Sequence, residues 1–305
     1  MRRQRGIAVI TAILIVAVAA SAATLMLAQQ AATLDQAMLV TARAQADLYG
    51  QAGLDWARGV LAQDAASSSA DSLDEGWARP IAGLPVERAL VAGSIGDEQG
   101  KLNLNNLVNN GQKSVPDVEA FGRLLDALGL SPQLADAVVD WIDADGDLAS
   151  GAGAEDGYYL SLARPYRAAN VPMVQVEELY RVRGFDAAAV AKVKPHVAAL
   201  GERTKVNVNT ASEPVLAAIL GGKPDKLADL LKSRRLKAFR SDTELAAVIG
   251  TEAAAFDVKS SYFLVRVQVA QDDVHLATEA LVRRMAAGAP AGTSPTAVVW
   301  RRHRY

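Results

Sequence analysis

Residues 7–27 form an unbroken apolar run with no charge and only Thr11, Ser21 and Thr24 as hydroxyls, directly after the basic leader Met1-Arg-Arg-Gln-Arg-Gly6. Roughly 20 helical residues at about 1.5 Å each cross a hydrocarbon core of about 30 Å, so the run predicts a membrane span. Helix-compatible sequence continues without proline to about residue 61. One long helix is therefore expected over 7–61, with 7–27 in lipid. A cleaved signal peptide is the competing reading. It calls for a shorter apolar core and a small-residue cut site such as the one at Ala20-Ser-Ala-Ala23. Arg2, Arg3 and Arg5 face no Lys or Arg beyond the span before Arg43, which by the positive-inside bias puts the rest of the chain across the membrane.

About 250 of the 305 residues lie beyond that helix, enough for one large core or two small ones. The formal net charge is −2, so no global basic field argues for a polyanion partner. The chain has no cysteine, which excludes disulfides, thiolate catalysis and sulfur-ligated zinc.

Residues 64–74 are Ala, Ser and Asp without apolar period and read as a loop. Strand patterns follow at 86–95 and in Lys101-Leu-Asn-Leu-Asn105, and a second copy stands at Lys205-Val-Asn-Val-Asn209. The two copies are expected to bracket an inserted helical region. Inside it, Val118, Phe121, Leu124, Leu125 and Leu128 share a helical face, and Leu134, Val138, Trp141 and Ile142 share the next. Further helices are expected at about 174–180, 187–200, 213–220, 226–234 and 243–249, with Thr210 and Glu213 at capping-box spacing. Residues 262–269 and 275–283 read as a hairpin turning at Gln271-Asp-Asp273, followed by a Gly/Ala/Pro-rich hinge at 286–295 and a last strand at 297–300. Strands on both sides of a helical block predict an α+β fold, in which one antiparallel sheet packs on the long helix and an all-α domain is inserted in a loop of that sheet. The divisions are 1–6 leader, 7–61 helix, 62–111 first part of the sheet, 112–256 inserted domain with two helical subdomains, and 257–305 final strands.

The most chemical segment is Asp140-Trp-Ile-Asp143-Ala-Asp145-Gly-Asp147, with Glu155-Asp156 beyond it. Oxygen-only donors without a nearby His or Cys suit Ca²⁺, although Gly146, Leu148 and Glu155 depart from EF-hand order. The alternative is a solvated acidic loop. Gly184-Phe-Asp186 and Leu220-Gly-Gly-Lys-Pro224 resemble helix-hairpin-helix turns, yet an acid where phosphate would approach is repulsive. The basic runs at 232–237 and 301–304 read as solvated faces or docking points for acidic partners. His196, His275 and His303 are scattered with no nucleophile beside them, so no catalytic constellation is visible. A hydrolase using the acidic loop would lack a proton acceptor.

The leader ending in Gly6, followed by Ile7 and a long helix, resembles type IV prepilins and pseudopilins, in which the leader is cut after the glycine. The fifth residue after that cut is Thr11, where most such proteins carry glutamate. Together with the Asn-rich strands, the acidic loop, Tyr158-Tyr-Leu160, Arg164-Pro-Tyr166, Asn170, Glu178-Leu179 and Lys205-Val-Asn-Val-Asn-Thr-Ala211, this resembles the minor pseudopilin K family of the bacterial type II secretion system (general secretion pathway protein K). The resemblance implies a pseudopilin body with a helix-hairpin-helix-like (SAM-like) insertion. It further implies processing by prepilin peptidase between Gly6 and Ile7 and methylation. The expected setting is a single pass in the inner membrane with the C-terminal domain in the periplasm, and a structural role at the pseudopilus tip in export of folded proteins. The implied partners are minor pseudopilins I and J and the other pseudopilins, with no nucleic acid and no enzymatic activity. Calcium is implied in that body, carried here to Asp143, Asp145, Asp147, Glu155 and Asp156. The other class of function is a membrane-anchored helix-hairpin-helix protein that binds DNA, as in DNA uptake.

Overall fold

The structure, a computed structural model, describes residues 4–285 and 294–304. Its first element, α1 (Gln4–Ser67), is a single helix of 64 residues. Ala, Leu and Gln favour helix throughout, and no proline interrupts, so it runs past the expected end at residue 61. The hydroxyls of Thr11, Ser21 and Thr24 donate to carbonyls three or four residues back, leaving the apolar part without an unmet donor. Its apolar window has a mean hydropathy of 2.5 and none of it is buried; among the described residues it is the one helix long and apolar enough to cross a membrane.

A hairpin follows, β1 (Ile81–Val86) and β2 (Ala89–Asp97), so the strand expected at 86–95 spans parts of two. The chain then leaves the sheet at Asp97 and returns in β9 (Tyr262–Gln271), β10 (Val274–Arg284) and β11 (Thr296–Arg304). The expected hinge lies mostly outside the described residues. Strand order is β1-β2-β9-β10-β11, every neighbour antiparallel. Because Asp97 pairs directly with Phe263, residues 98–261 stand where a hairpin loop would be. The expected boundaries at 112 and 256 fall inside this excursion.

Alternation along β9 sends Phe263, Val265, Val267 and Val269 to one face, where they pack with Ala280 and Val282 against Ala42, Ala46, Leu54, Ala57 and Leu61 of α1. The small residues on α1 allow close approach. A Cβ added at Gly53 would stand 2.8 Å from Val267 Cγ1.

The excursion, hereafter the head, is built twice over. Its first half holds β3 (Leu102–Asn103), the hairpin β4 (Val108–Asn109) and β5 (Gln112–Lys113), then α2 (Val115–Ala127), α3 (Leu134–Ile142), the one-turn α4 (Asp156–Tyr159), α5 (Ala187–Val193) and β6 (Val197–Ala198). Phe121, Leu124, Val138, Trp141, Tyr159, Leu179 and Val193 form its core. The second half holds β7 (Val206–Asn207), α6 (Glu213–Leu220), α7 (Pro224–Leu236), α8 (Asp242–Ile249) and β8 (Phe256–Asp257), around Leu216, Leu220, Leu230, Leu245 and Phe256. In each half the opening two-residue strand pairs in parallel with the closing one.

The Asn-rich segments, read as strand patterns expected to bracket an inserted helical region, instead open the two halves of the head. Asn103 Oδ1 accepts from Asn105 N–H at 3.1 Å and Asn207 Oδ1 from Asn209 N–H at 3.0 Å. A side chain bonding its own backbone two residues on competes with strand pairing, which stops each strand after two residues. The next Asn holds a distant backbone at both its N–H and its carbonyl: Asn105 clasps Met173 (2.8 and 2.9 Å) and Asn209 clasps Phe239 (2.9 and 2.9 Å). Two other expectations change. The helix expected over 187–200 stops at Val193 because Pro195 offers no N–H, and a 3₁₀ turn and β6 follow. Thr210 donates to Asp97 Oδ2 at 2.6 Å rather than capping α6, whose N-cap is Ser212; the capping box formed is Gln175 with Glu178.

Candidate cation site

The two halves of the head differ most in one connection. Between α7 and the clasped Phe239 lie residues 237 and 238; between α3 and the clasped Met173 lie residues 143–172, which include the acidic loop. Loops beyond about 12–15 residues with little regular structure are unusual inside a compact domain and commonly carry function.

That loop is wrapped around acid. Asp140, on the last turn of α3, is fully buried and its Oδ1 accepts from Ala149 N–H at 2.8 Å. Its Oδ2 has no hydrogen-bond partner, and a Cβ on Gly153 would come within 1.9 Å of it. Asp143 Oδ1, at the C-cap of α3, and Glu155 Oε1, at the N-cap of α4, are also buried without a partner. Asn170 joins them: its backbone N–H donates to Trp141 O (3.0 Å) and its Nδ2 to Asp145 O (3.3 Å), while its buried Oδ1 meets no donor. Four buried oxygens without donors in one loop depart sharply from the usual pairing of buried polar groups.

The electrostatics agree. Burial first, then Asp140, Asp143, Asp145 and Asp156, pushes the Glu155 carboxyl up to about 7. Burial followed by Asp145 and Asp140 pushes Asp143 up to about 6. Asp140 is raised as well, chiefly by burial and against the Ala149 hydrogen bond. No opposing positive charge offsets the rise at Asp143 or Glu155, and at Asp140 that of Lys113 is the smallest influence.

The five expected ligands are therefore not equivalent. Asp143 and Glu155 are buried in the loop. Asp145 and Asp147 lie exposed on its outer turn, Asp145 Oδ1 accepting from Asp147 N–H at 2.9 Å. Asp156 is already occupied, by Arg167 Nη1 and by Ala168 N–H, both at 3.1 Å. Asp140 and Asn170 were not among the expected ligands. Asp140 was legible, three residues before Asp143 on the same helical face, whereas Asn170 reaches the loop from distant sequence. These donors, oxygens throughout, are of the kind a hard cation takes, though Asp140, Asp143 and Glu155 do not gather within 4.8 Å of one another.

A tighter acidic trio, Asp64, Asp71 and Glu75, has carboxylate oxygens all within 4.8 Å of one another. Arg284 already occupies it, at 2.9 Å from Asp64 and 2.5 Å from Asp71.

The hairpins weighed for DNA are structural. Gly184, at φ +83°, lies under Leu134, and Asp186 caps α5 by accepting from Ala189 N–H at 2.7 Å. Arg234, from the basic run, donates to Val208 O and Ala211 O. His196 Nδ1 rests 2.9 Å from Ser212 Oγ, the N-cap of α6. The DNA-binding reading has no support.

Comparison with known proteins follows the architecture. The family model described as "Type II secretion system (T2SS), protein K" matches at 100–202 and again at 206–266, close to the two halves of the head. The type II secretion system protein K of Pseudomonas aeruginosa is 35% identical over 293 residues, covering 90% of this chain and 87% of that protein. That of Aeromonas hydrophila is 32% identical over 311 residues, covering 93% and 94%. Among solved structures, a chain of the GspK–GspI–GspJ complex from the enterotoxigenic Escherichia coli type 2 secretion system superposes with a TM-score of 0.73 at 25% identity, covering 86% of this chain and 96% of that one. With its long apolar helix on an antiparallel sheet and its head set into a hairpin of that sheet, the chain belongs to the type II secretion system protein K family.

Proposed function

We propose that this minor pseudopilin stands at the tip of the pseudopilus in complex with minor pseudopilins I and J, as a structural component with no catalysis of its own. The observation that carries the reading is the head: residues 98–261 replace one hairpin loop of the sheet, a bulk that suits an end position rather than a repeating one. The likeness to a chain of a GspK–GspI–GspJ complex supports the same partners. The apolar helix, exposed along its whole window, supports a single-pass anchor in the inner membrane with the body in the periplasm, matured by prepilin peptidase between Gly6 and Ile7 and then methylated. The loop around Asp140, Asp143, Glu155 and Asn170 is proposed to hold calcium, which would neutralise the buried carboxylates and order the connection; Asp145 and Asp147 stand on its rim.

Three measurements test this. The detergent-solubilised chain should co-purify with I and J, and gold label on the chain should mark filament ends. Label spread along the shaft, or failure to bind either partner, would overturn the tip reading. Intact mass after extraction should start at Ile7; a start after Ala23 identifies a signal peptide instead.

A further inference from the structure

The head joins the sheet at two crossings that lie side by side. Glu98 N–H donates to Tyr262 O at 3.0 Å, and Ser261 N–H donates to Gln99 Oε1 at 2.5 Å. Two adjacent strands entering one body define an axis about which that body can turn. Next to the axis, the apolar contact between head and sheet is small: Ala198 and Leu200 against Tyr262 and Leu281, with Trp300 at its margin. Beside it the head's Glu202 accepts from Arg283 Nη2 at 2.9 Å and from the Tyr262 hydroxyl at 3.1 Å, close to the axis, and the rest of this face is a cleft of about 340 Å³ with Glu98, Lys101, Glu177, Lys194, Arg266 and Arg302 among its lining.

Across that cleft runs a row of charges. Glu279 on β10 lies directly opposite Arg266 on β9 and Arg302 on β11, and it pairs with both, at 3.0 and 2.8 Å. Arg302 stands two strands, about 10 Å, from β9. There it meets the head, with Nη2 at 2.8 Å from Glu177 Oε1 and Nη1 at 2.7 Å from Gln175 Oε1, while Lys194 holds Glu177 from the head side at 2.8 Å. The neighbouring residue points the other way. Arg301 binds Gln51 and Asp47 of α1, the latter at 2.6 Å. Consecutive residues of one strand therefore grip the long helix on one face and the head on the other.

We propose that Arg302 and Glu177 form an ionic latch that closes the head onto the sheet about the paired crossings at 97–99 and 260–262, and that breaking the latch lets the head swing. Both side chains are only partly buried, at 24% and 28% exposure, so dissolved ions reach the pair. Burial raises the Glu177 carboxyl, but hydrogen bonds from Arg302 and Lys194 outweigh it and hold the group at about 2. Ionic strength rather than mild acid is therefore the lever. Because Arg301 is fixed to α1, a shift of the helix along β11 reaches the latch through one peptide bond.

The chain has no cysteine, so spin labels can be placed at will. Leu90→Cys on the sheet and Tyr180→Cys on the head, both exposed positions, give one distance across the hinge in the full chain in detergent. The parent at 0.1 M NaCl should give one short, narrow distribution. Arg302→Ala and Glu177→Ala should each add a longer, broader population, 1 M NaCl should do the same to the parent, and Arg302→Lys should restore part of the short one. A single short distribution in every variant and at both salt concentrations overturns the latch. Should a variant lose its cooperative melt, the parent decides alone: an unchanged distance at 1 M NaCl refutes the proposal.

Discussion

Asn207 Nδ2 donates to Asp97 Oδ2 at 3.0 Å, joining the residue where the sheet ends to the residue that opens the second half of the head. The same amide also reaches Ser260 Oγ (2.9 Å) and Asp71 O (3.1 Å), so the segment that follows α1, both crossings and the head meet at one side chain. All of these groups are buried. Removing one partner from such a cluster leaves several others unmet, at about 1–3 kcal/mol for each desolvated group. Asn207→Ala is expected to destabilise the protein by about 3 kcal/mol or more. Its counterpart Asn103→Ala, whose side chain makes at least as many bonds but several of them to part-buried partners that water can reach, should cost less. Chemical denaturation of both variants checks the order, and equal losses would contradict it.

Arg284 is buried and bridges Asp64 and Asp71, with a further bond to Ser260 O at 2.7 Å. Taking away one member of a buried ion cluster strands the rest, which costs about 3–5 kcal/mol. Arg284→Met should lose that much at pH 7.5. The pH dependence has a definite sign. Burial, then Glu75 and Asp71, already raises Asp64 to about 6, and Arg284 opposes the rise. A carboxyl whose folded value lies above its unfolded one makes the folded state bind more protons, so stability falls as pH rises through that window. The deficit of Arg284→Met should therefore shrink between pH 7.5 and pH 5. A constant deficit in melting experiments would contradict the cluster's role.

Calcium is expected to raise the melting temperature at neutral pH and magnesium to do so much less, since Mg²⁺ demands near-octahedral geometry. Without the ion, Asp143 at about 6 and Glu155 at about 7 make the folded state gain protons, so stability declines as pH climbs from about 4 to about 7. Calcium binds the ionised forms, so its increment should grow over the same range and fade by pH 5. Gly153→Ala drives a Cβ into Asp140 Oδ2 and should abolish most of the increment, as should Asp143→Asn. Asp156→Ala, which breaks the contacts to Arg167 and Ala168 instead, should lower stability with and without calcium. Differential scanning calorimetry separates these outcomes.

Patterns that report a half-buried surface were legible in the sequence. Strands β9 and β10 show it plainly, because Phe263, Val265, Val267 and Val269 must all face α1. The long helix was legible for the same reason, through composition and the absence of proline. What escaped was side-chain capture of backbone. Lys101 to Asn105 has a strand's alternation, yet Asn103 and Asn105 spend their amides on local and distant backbone and end the strand at once. The repeat at Asn207 and Asn209 was visible as a sequence echo, but that each copy opens its own helical unit required seeing Met173 and Phe239 held alike. In the acidic loop, the sequence placed five carboxylates in one region without telling which were buried. Only packing shows that Asp156 is paired with Arg167 and that Asp140, beside those five, keeps a buried Oδ2 without a donor.

Thr11 Oγ1 lies 3.0 Å from both Ile7 O and Ala8 O, so its hydroxyl is satisfied within its own helix and asks nothing of a neighbouring subunit. A glutamate there would need an opposing charge inside the apolar layer; an unpaired ionised side chain at the membrane centre costs on the order of 2.5–3.5 kcal/mol on insertion scales. In pilin-like assemblies that charge is thought to be a neighbour's N-terminal ammonium, which a subunit that begins the filament has no earlier neighbour to supply. Thr11→Glu alone should not turn the protein into a shaft subunit, because the head still occupies residues 98–261. The strand register suggests how to remove that obstacle. Gly96 pairs with Leu264 and Asp97 with Phe263, so an Asn-Gly turn in place of residues 98–262 would close β2 and β9 into an ordinary hairpin. Gold label should stay at filament ends for the parent and for Thr11→Glu, and should spread along the shaft only when the head is deleted and Thr11→Glu is present. Shaft labelling by Thr11→Glu with the head intact would show that the missing charge, and not the bulk of the head, keeps this protein at the tip.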